Sequence, residues 1–147
     1  MSQETIQRAI QKAKEQVMWG CRTMVDKGYA LGTAGNISAR VEGEPLFVIT
    51  PSARPYLTMK PEDLAVGDMD GNVVSGPYKP SIEFSMHLGI YKERPEVNCI
   101  VHTHSKFATA VSAMDGVEKV PVIDIEGVVY LGGEILVAPL HLQDPVS

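Results

Sequence analysis

Val97-Asn98-Cys99-Ile100-Val101-His102-Thr103-His104 is an apolar run that ends on two histidines. Pro95 stands before it and Ser105 after it, so Val97–Thr103 reads as one strand. In a strand, residues i and i+2 point to the same side, about 6.5–7 Å apart. Two imidazoles at that spacing can converge on one metal ion, whose bonds to nitrogen are about 2.0–2.1 Å. The plainer reading is a pair of core histidines satisfied by hydrogen bonds.

Just upstream, Lys79-Pro80-Ser81 leads into a helix over about Ile82–Glu93, with Ser81 as its cap and Pro95 as its stop. Glu83 falls in the first turn, where the helix end favours a carboxylate. Beside a metal it can be a ligand, a general base, or each in turn. Without the histidines it would read as a solvated helix-start glutamate. His87 lies four residues on, on the same helical face. It reads as a further ligand or, more simply, as a side chain that orients Glu83.

Further toward the N-terminus, Ile6, Ala9, Ile10, Ala13, Val17, Cys21, Met24 and Val25 recur at three- and four-residue steps. They predict an amphipathic helix over Gln3–Lys27, capped by Ser2 and ended by Gly28 in a left-handed conformation. Asn36–Val41 and Pro45–Thr50 predict one hairpin; Ala65–Asp68 and Asn72–Val74 predict another. Beyond the histidines, Ser105–Ala113 predicts a short helix. Val120–Ile125, Val128–Leu131 and Glu134–Ala138 read as strands. Mixed helices and hairpins, rather than a βαβ alternation, favour an α/β sandwich with an antiparallel or mixed sheet. A chain of 147 residues suits a single domain over 1–147.

Several turns offer anion-binding groups. Gly35 and Asn36 follow a glycine-rich turn whose N–H groups could hold phosphate or carboxylate oxygens. Ser52 and Ala53 follow a strand, and Ser81 sits beside a helix start. Each alone is an ordinary turn or cap.

The formal net charge is −5 and no basic run occurs, which argues against a nucleic-acid partner. Cys21 and Cys99 have no metal-ligand spacing and read as buried free thiols of a reducing compartment. The polar start lacks the layout of a secretory signal, and no run approaches the ~20 apolar residues of a spanning helix. These features predict a cytoplasmic protein with no membrane partner.

Gly32-Thr33-Ala34-Gly35-Asn36-Ile37-Ser38, Ile49-Thr50-Pro51-Ser52, Ser81-Ile82-Glu83 and His102-Thr103-His104 occur in that order. In order and spacing they resemble the class II sugar-phosphate aldolases, the family of fuculose-phosphate aldolase, ribulose-phosphate 4-epimerase and the adducin head domain. The resemblance runs from the first helix to about Pro139. It implies a three-layer α/β/α sandwich around a mainly antiparallel central sheet. It implies a divalent metal, Zn2+ first with Mn2+, Co2+ or Fe2+ as alternatives, on His102 and His104 with Glu83 as a further ligand. Glu83 would also be the catalytic acid/base, and Gly35, Asn36, Ser52, Ala53 and Ser81 would bind substrate. The implied reaction cleaves or forms a carbon–carbon bond in a small sugar or sugar phosphate through a metal-stabilised enediolate. The implied assembly is a homotetramer.

The chain also departs from that pattern. The family's third metal histidine, in a later His-His-Gly type motif, is absent from the sequence. His141 is the one histidine beyond Pro139. A chain lacking the family's C-terminal segment is the expectation, with exposed apolar faces that favour association. Ala53 stands where the family often has Gly, and Ile82 where it often has a second Ser. Ile125 stands where the aldolase branch has a tyrosine acid, and Tyr130 is not assigned that role. Alternative readings are therefore a non-catalytic, adducin-head-like assembly domain, a sugar-phosphate epimerase or dehydratase of the same family, and an unrelated metal hydrolase.

Overall fold

The computed structural model describes residues 2–138. They divide after His104 into two compact units.

The first unit opens with helix α1, Gln3–Asp26. The Ser2 hydroxyl accepts the Thr5 N–H at 3.3 Å, and Gly28 ends the helix at φ +71°, as the sequence predicts. Ala13, Val17, Met18, Cys21 and Met24 form its buried stripe. Two hairpins follow: β1 (Asn36–Arg40) with β2 (Leu46–Ile49), then β3 (Ala65–Asp68) with β4 (Val73–Ser75). Helix α2 spans Phe84–Glu93, and β5 spans Cys99–His102. The five strands lie in the order β4-β3-β2-β1-β5, antiparallel at every junction. The chain thus leaves the sheet after β4, crosses through α2, and returns as β5 beside β1.

The pleat divides the core into two layers because alternate side chains face opposite ways. Ile37, Ala39, Val41, Val48 and Val66 pack with the α1 stripe. Phe47, Ile49 and Ala65 pack with Phe84 and Tyr91 of α2 on the other face. The unit is therefore an α/β/α sandwich with an antiparallel sheet, as the sequence reading holds. Each large apolar side chain enclosed in these layers contributes about 1.5–3 kcal/mol relative to leaving it in water.

Three sequence expectations need correction here. Helix α2 begins at Phe84, not Ile82. The Ser81 hydroxyl accepts the Glu83 N–H at 3.2 Å and the Ser81 carbonyl accepts the Phe84 N–H, so a turn precedes the first helical residue. The strand that carries the histidines is Cys99–His102 rather than Val97–Thr103, so His104 lies two residues past its end instead of one. Both cysteines are free thiols, but only Cys21 is buried; Cys99 is exposed on the edge strand β5.

The second unit holds helix α3 (Lys106–Ser112), strand β6 (Lys119–Val120), helix α4 (Ile125–Leu131) and strand β7 (Ile135–Leu136). Strands β6 and β7 form an antiparallel pair. Val120–Ile125 was expected to be a strand, yet only Val120 belongs to one. Val128–Leu131 was expected to be a strand and is helical. Its β-branched pair is outweighed by the helix ends: the Asp124 carboxylate accepts the Gly127 N–H at 2.7 Å, and Gly132 closes the helix at φ +73°. Among the described residues, no helix is long and apolar enough to cross a membrane.

At Gly67 on β3 there is no room for a side chain between the sheet and α2. A Cβ there would lie 2.5 Å from the Phe84 ring and 3.0 Å from Phe47. Gly67→Ala is expected to cost about 1–3 kcal/mol of stability through overpacking, read as a lower urea midpoint.

Candidate metal and acid–base site

The site grows from the polar face of β1. Ile37, Ala39 and Val41 face α1, so Asn36, Ser38 and Arg40 face α2. Glu83, at the cap of α2, and His87 and Tyr91 on the helix recur every four positions and share one side. The two series meet rung by rung. Asn36 Nδ2 donates to Glu83 Oε2 at 2.7 Å, and Asn36 Oδ1 lies 2.5 Å from His87 Nε2. Ser38 Oγ is 2.6 Å from His87 Nδ1 and 2.7 Å from the Tyr91 hydroxyl. The Arg40 guanidinium donates to the Tyr91 carbonyl and stacks over the Tyr91 ring at 4.5 Å.

The strand register carries this face to the histidines, since Asn36 pairs directly with His102. Glu83 Oε2 lies 3.3 Å from His102 Nδ1, a polar contact with a half-buried ring. On the far side of that ring, His102 Nε2 is 3.1 Å from His104 Nε2. The turn before β1 is held tightly against this corner. Gly35 has φ +79°, and a Cβ there would lie 2.6 Å from the His102 carbonyl oxygen. Tyr56 donates its hydroxyl to the Gly35 carbonyl. Gly35 is thus required by backbone conformation and by space, whatever it offers a ligand.

The remaining candidates form a second corner. Segments 50–52 and 79–81 run side by side: Ser52 N donates to Lys79 O at 3.0 Å, and Ser81 N to Thr50 O at 2.9 Å. Ser81 is nearly enclosed, with its hydroxyl engaged by the Glu83 N–H. Ser52 joins the corner through this backbone pairing, and Ala53 follows it in the chain. Ala53 holds φ +53°, a left-handed conformation that suits glycine better.

Among the described residues, His87 is the one buried histidine, and it is fully enclosed. Burial pushes its imidazole from 6.5 down to about 4; the Glu83 carboxylate pulls the other way and His102 adds to the lowering. The ring is neutral at pH 7. Burial likewise raises the Tyr91 phenol to about 12, so it stays protonated. Ser38, Arg40, Tyr91 and Tyr56 were not singled out from sequence. The available signal was the match between polar positions i, i+2, i+4 on β1 and i, i+4, i+8 on α2.

A divalent ion fits the two ring nitrogens. Tetrahedral bonds of about 2.0–2.1 Å set two nitrogen ligands about 3.3 Å apart, and the observed separation is 3.1 Å. Imidazole nitrogen is also the right donor chemistry for such an ion. Among the described residues, no group of three or more His, Cys, Asp or Glu is arranged to hold one ion. The contact that Glu83 makes is with Nδ1 of His102, not with the nitrogen facing His104. His141, the other candidate for a third nitrogen, lies outside the described residues.

Two measurements test this description. The depressed value at His87 stabilises the fold fully above about pH 6.5, where the unfolded ring is neutral too. That stability is lost as pH falls toward 4, because only the unfolded ring takes up a proton. From the shift to about 4, stability between pH 7 and pH 5 should drop by about 2 kcal/mol more in the wild type than in His87→Gln, measured by urea denaturation. At the second corner, Ala53→Gly relieves the left-handed strain of about 1–2 kcal/mol, partly offset by unfolded-state entropy. A rise in melting temperature of about 2–4 °C is expected.

Comparison with known proteins agrees with this architecture. The sequence pattern of the Class II Aldolase and Adducin N-terminal domain matches residues 15–146. A 5-deoxy-D-ribulose 1-phosphate aldolase of Bacillus thuringiensis serovar kurstaki is 38% identical over 105 residues, which is 71% of this chain and 49% of that protein. An L-ribulose-5-phosphate 4-epimerase of Salmonella paratyphi B is 44% identical over 101 residues, 69% of this chain and 44% of that one. A solved L-fuculose 1-phosphate aldolase superposes with a TM-score of 0.66 at 34% identity, covering 69% of this chain and 48% of that one. The chain spans about half the length of these relatives. With its sandwich, its sheet order and nearly all of its length matched, the chain belongs to the class II aldolase and adducin N-terminal domain family.

Proposed function

We propose that this chain carries the centre of a metal-dependent aldolase, a lyase that breaks or forms a carbon–carbon bond in a small sugar phosphate. The observation that carries the reading is the Glu83 carboxylate, held by Asn36 at 2.7 Å against Nδ1 of His102, whose Nε2 pairs with Nε2 of His104. His102 and His104 would hold the ion, zinc first, with manganese, cobalt or iron as alternatives. A bound divalent ion supplies Lewis-acid stabilisation of negative charge developing on substrate oxygens.

The protein groups divide the remaining work. Glu83 is the acid/base: an exposed edge of its carboxylate can take or return a substrate proton while Asn36 fixes the group. Glu83 would be the further group to hold the ion with the two histidines. The second amide hydrogen of Asn36, the Gly35 backbone, and the corner of Ser52, Ala53 and Ser81 are the donors proposed for substrate oxygens and phosphate. Named relatives act on sugar phosphates, which supports that class of substrate. A homotetrameric, cytoplasmic protein completes the proposal.

Elemental mass spectrometry of the purified, desalted protein tests it, beside a His102→Ala/His104→Ala double variant and Glu83→Gln. Near-stoichiometric divalent metal is expected in wild type and Glu83→Gln, and none in the double variant. Retro-aldol turnover of a ketose phosphate panel should fall at least ~10²-fold in Glu83→Gln. No metal in the wild type even after adding zinc would end the catalytic reading.

A further inference from the structure

Four polar side chains lie in the layer between β1 and α2: Ser38 and His87 at 0% exposure, Tyr91 at 2% and Asn36 at 6%. Stability alone does not ask for them. Exchanging hydrogen-bonded partners for apolar groups of the same shape is nearly neutral, and the adjacent Phe47, Ile49 and Phe84 fill the same layer without polar atoms. Every buried side-chain nitrogen and oxygen among the described residues has a partner. The network is complete, and it ends on Glu83.

Its directions are fixed by valence. The Asn36 amide donates its Nδ2–H to Glu83 Oε2, which leaves its Oδ1 toward His87. Oδ1 only accepts, so His87 carries its proton on Nε2. Its Nδ1 then accepts the Ser38 hydroxyl proton, and Ser38 accepts that of Tyr91. Each orientation is imposed by the one before it. On the other side of Glu83, the same oxygen faces His102 Nδ1. A proton on Nδ1 satisfies that contact and leaves the Nε2 lone pair toward His104.

We propose that His87 is a positioning residue: backed by Ser38 and Tyr91, it locks the Asn36 amide in the one orientation that turns its N–H onto Glu83, and thereby holds His102 as the Nδ1–H tautomer. The chain orients without conducting. An amide has no readily exchanged acid–base proton, so Asn36 interrupts any proton path between His87 and Glu83. The proton that Glu83 handles is exchanged on the open side of the site and does not leak into the core. The inference rests on the role proposed above for Glu83, His102 and His104.

The test is nitrogen-15 NMR of histidine side chains in the full chain, metal-free and at about pH 8, where ordinary imidazoles are neutral. Wild type should show His87 protonated on Nε2 and His102 on Nδ1. His87→Leu should lose the Nδ1–H preference at His102 and weaken cobalt(II) binding, followed by its visible absorption, by about 10–100-fold. His87→Gln offers a donor to Asn36 and an acceptor to Ser38, and should restore both. A wild type with His87 on Nδ1 or His102 on Nε2 overturns the proposal without any variant. So does a folded His87→Leu, by circular dichroism, that keeps the His102 tautomer and cobalt affinity. Protein that binds no metal yet shows the expected tautomers, lost in His87→Leu, would retain this inference while the lyase reading fails.

Discussion

The contact between β1 and α2 governs the rest of the molecule, and it is a matter of spacing. Two strand residues advance about 6.6–6.8 Å and four helix residues about 6.0 Å. Those repeats are close enough that Asn36, Ser38 and Arg40 can each meet a partner from Glu83, His87 and Tyr91. The helix cannot slide by one residue without breaking several buried hydrogen bonds at once. Each group then left unpaired would cost about 1–3 kcal/mol. Apolar packing between Phe84, Phe47 and Gly67 holds α2 on the sheet, while the polar rungs fix where along the strand it sits.

From that constraint the site follows. Strand β5 takes its register from β1, and the pairing of Asn36 with His102 puts the histidine beside the carboxylate that Asn36 holds. One face of β1 thus serves the core through Ile37 and Ala39, and the other serves the chemistry through Asn36 and Ser38. Gly35 allows this crowding, because its missing side chain makes room for the His102 carbonyl. Stability and chemistry meet in the same few backbone atoms here, and a residue assigned from sequence to phosphate binding proves first to be a residue of close approach.

What could be read from the sequence divides along local and non-local lines. Helix α1 was legible because its stripe repeats over about five turns and its caps at Ser2 and Gly28 are local. Glu83, His102 and His104 stood out because their side chains carry recognisable chemistry at short spacings. Helix α4 was not legible: Val128 and Val129 resemble strand residues, and the deciding contact is a single cap at Asp124. Ser38 and Tyr91 were silent because a serine in a strand and a tyrosine in a helix mean little alone. They acquire meaning only when a crossover connection brings the two faces together. The reach of His104 was inferred from strand alternation, yet the strand stops at His102, and the ring nitrogens still converge.

The two repeats nearly match, and the remainder has a consequence. A difference of about 0.7 Å per rung behaves like a vernier scale: alignment is close at one end and lost within a few divisions. At the Glu83 end, a short asparagine bridges directly between side chains. At the far end, the partner is Arg40, a long guanidinium that passes over the Tyr91 ring to reach main-chain carbonyls at Tyr91 and Val97. The arginine takes up the accumulated offset that a short side chain could not. A helix and a strand can therefore be keyed to one another over three divisions and no further. The exact division lies next to the histidines, where a misplacement of a fraction of an ångström would matter, and the slack is discharged at the surface.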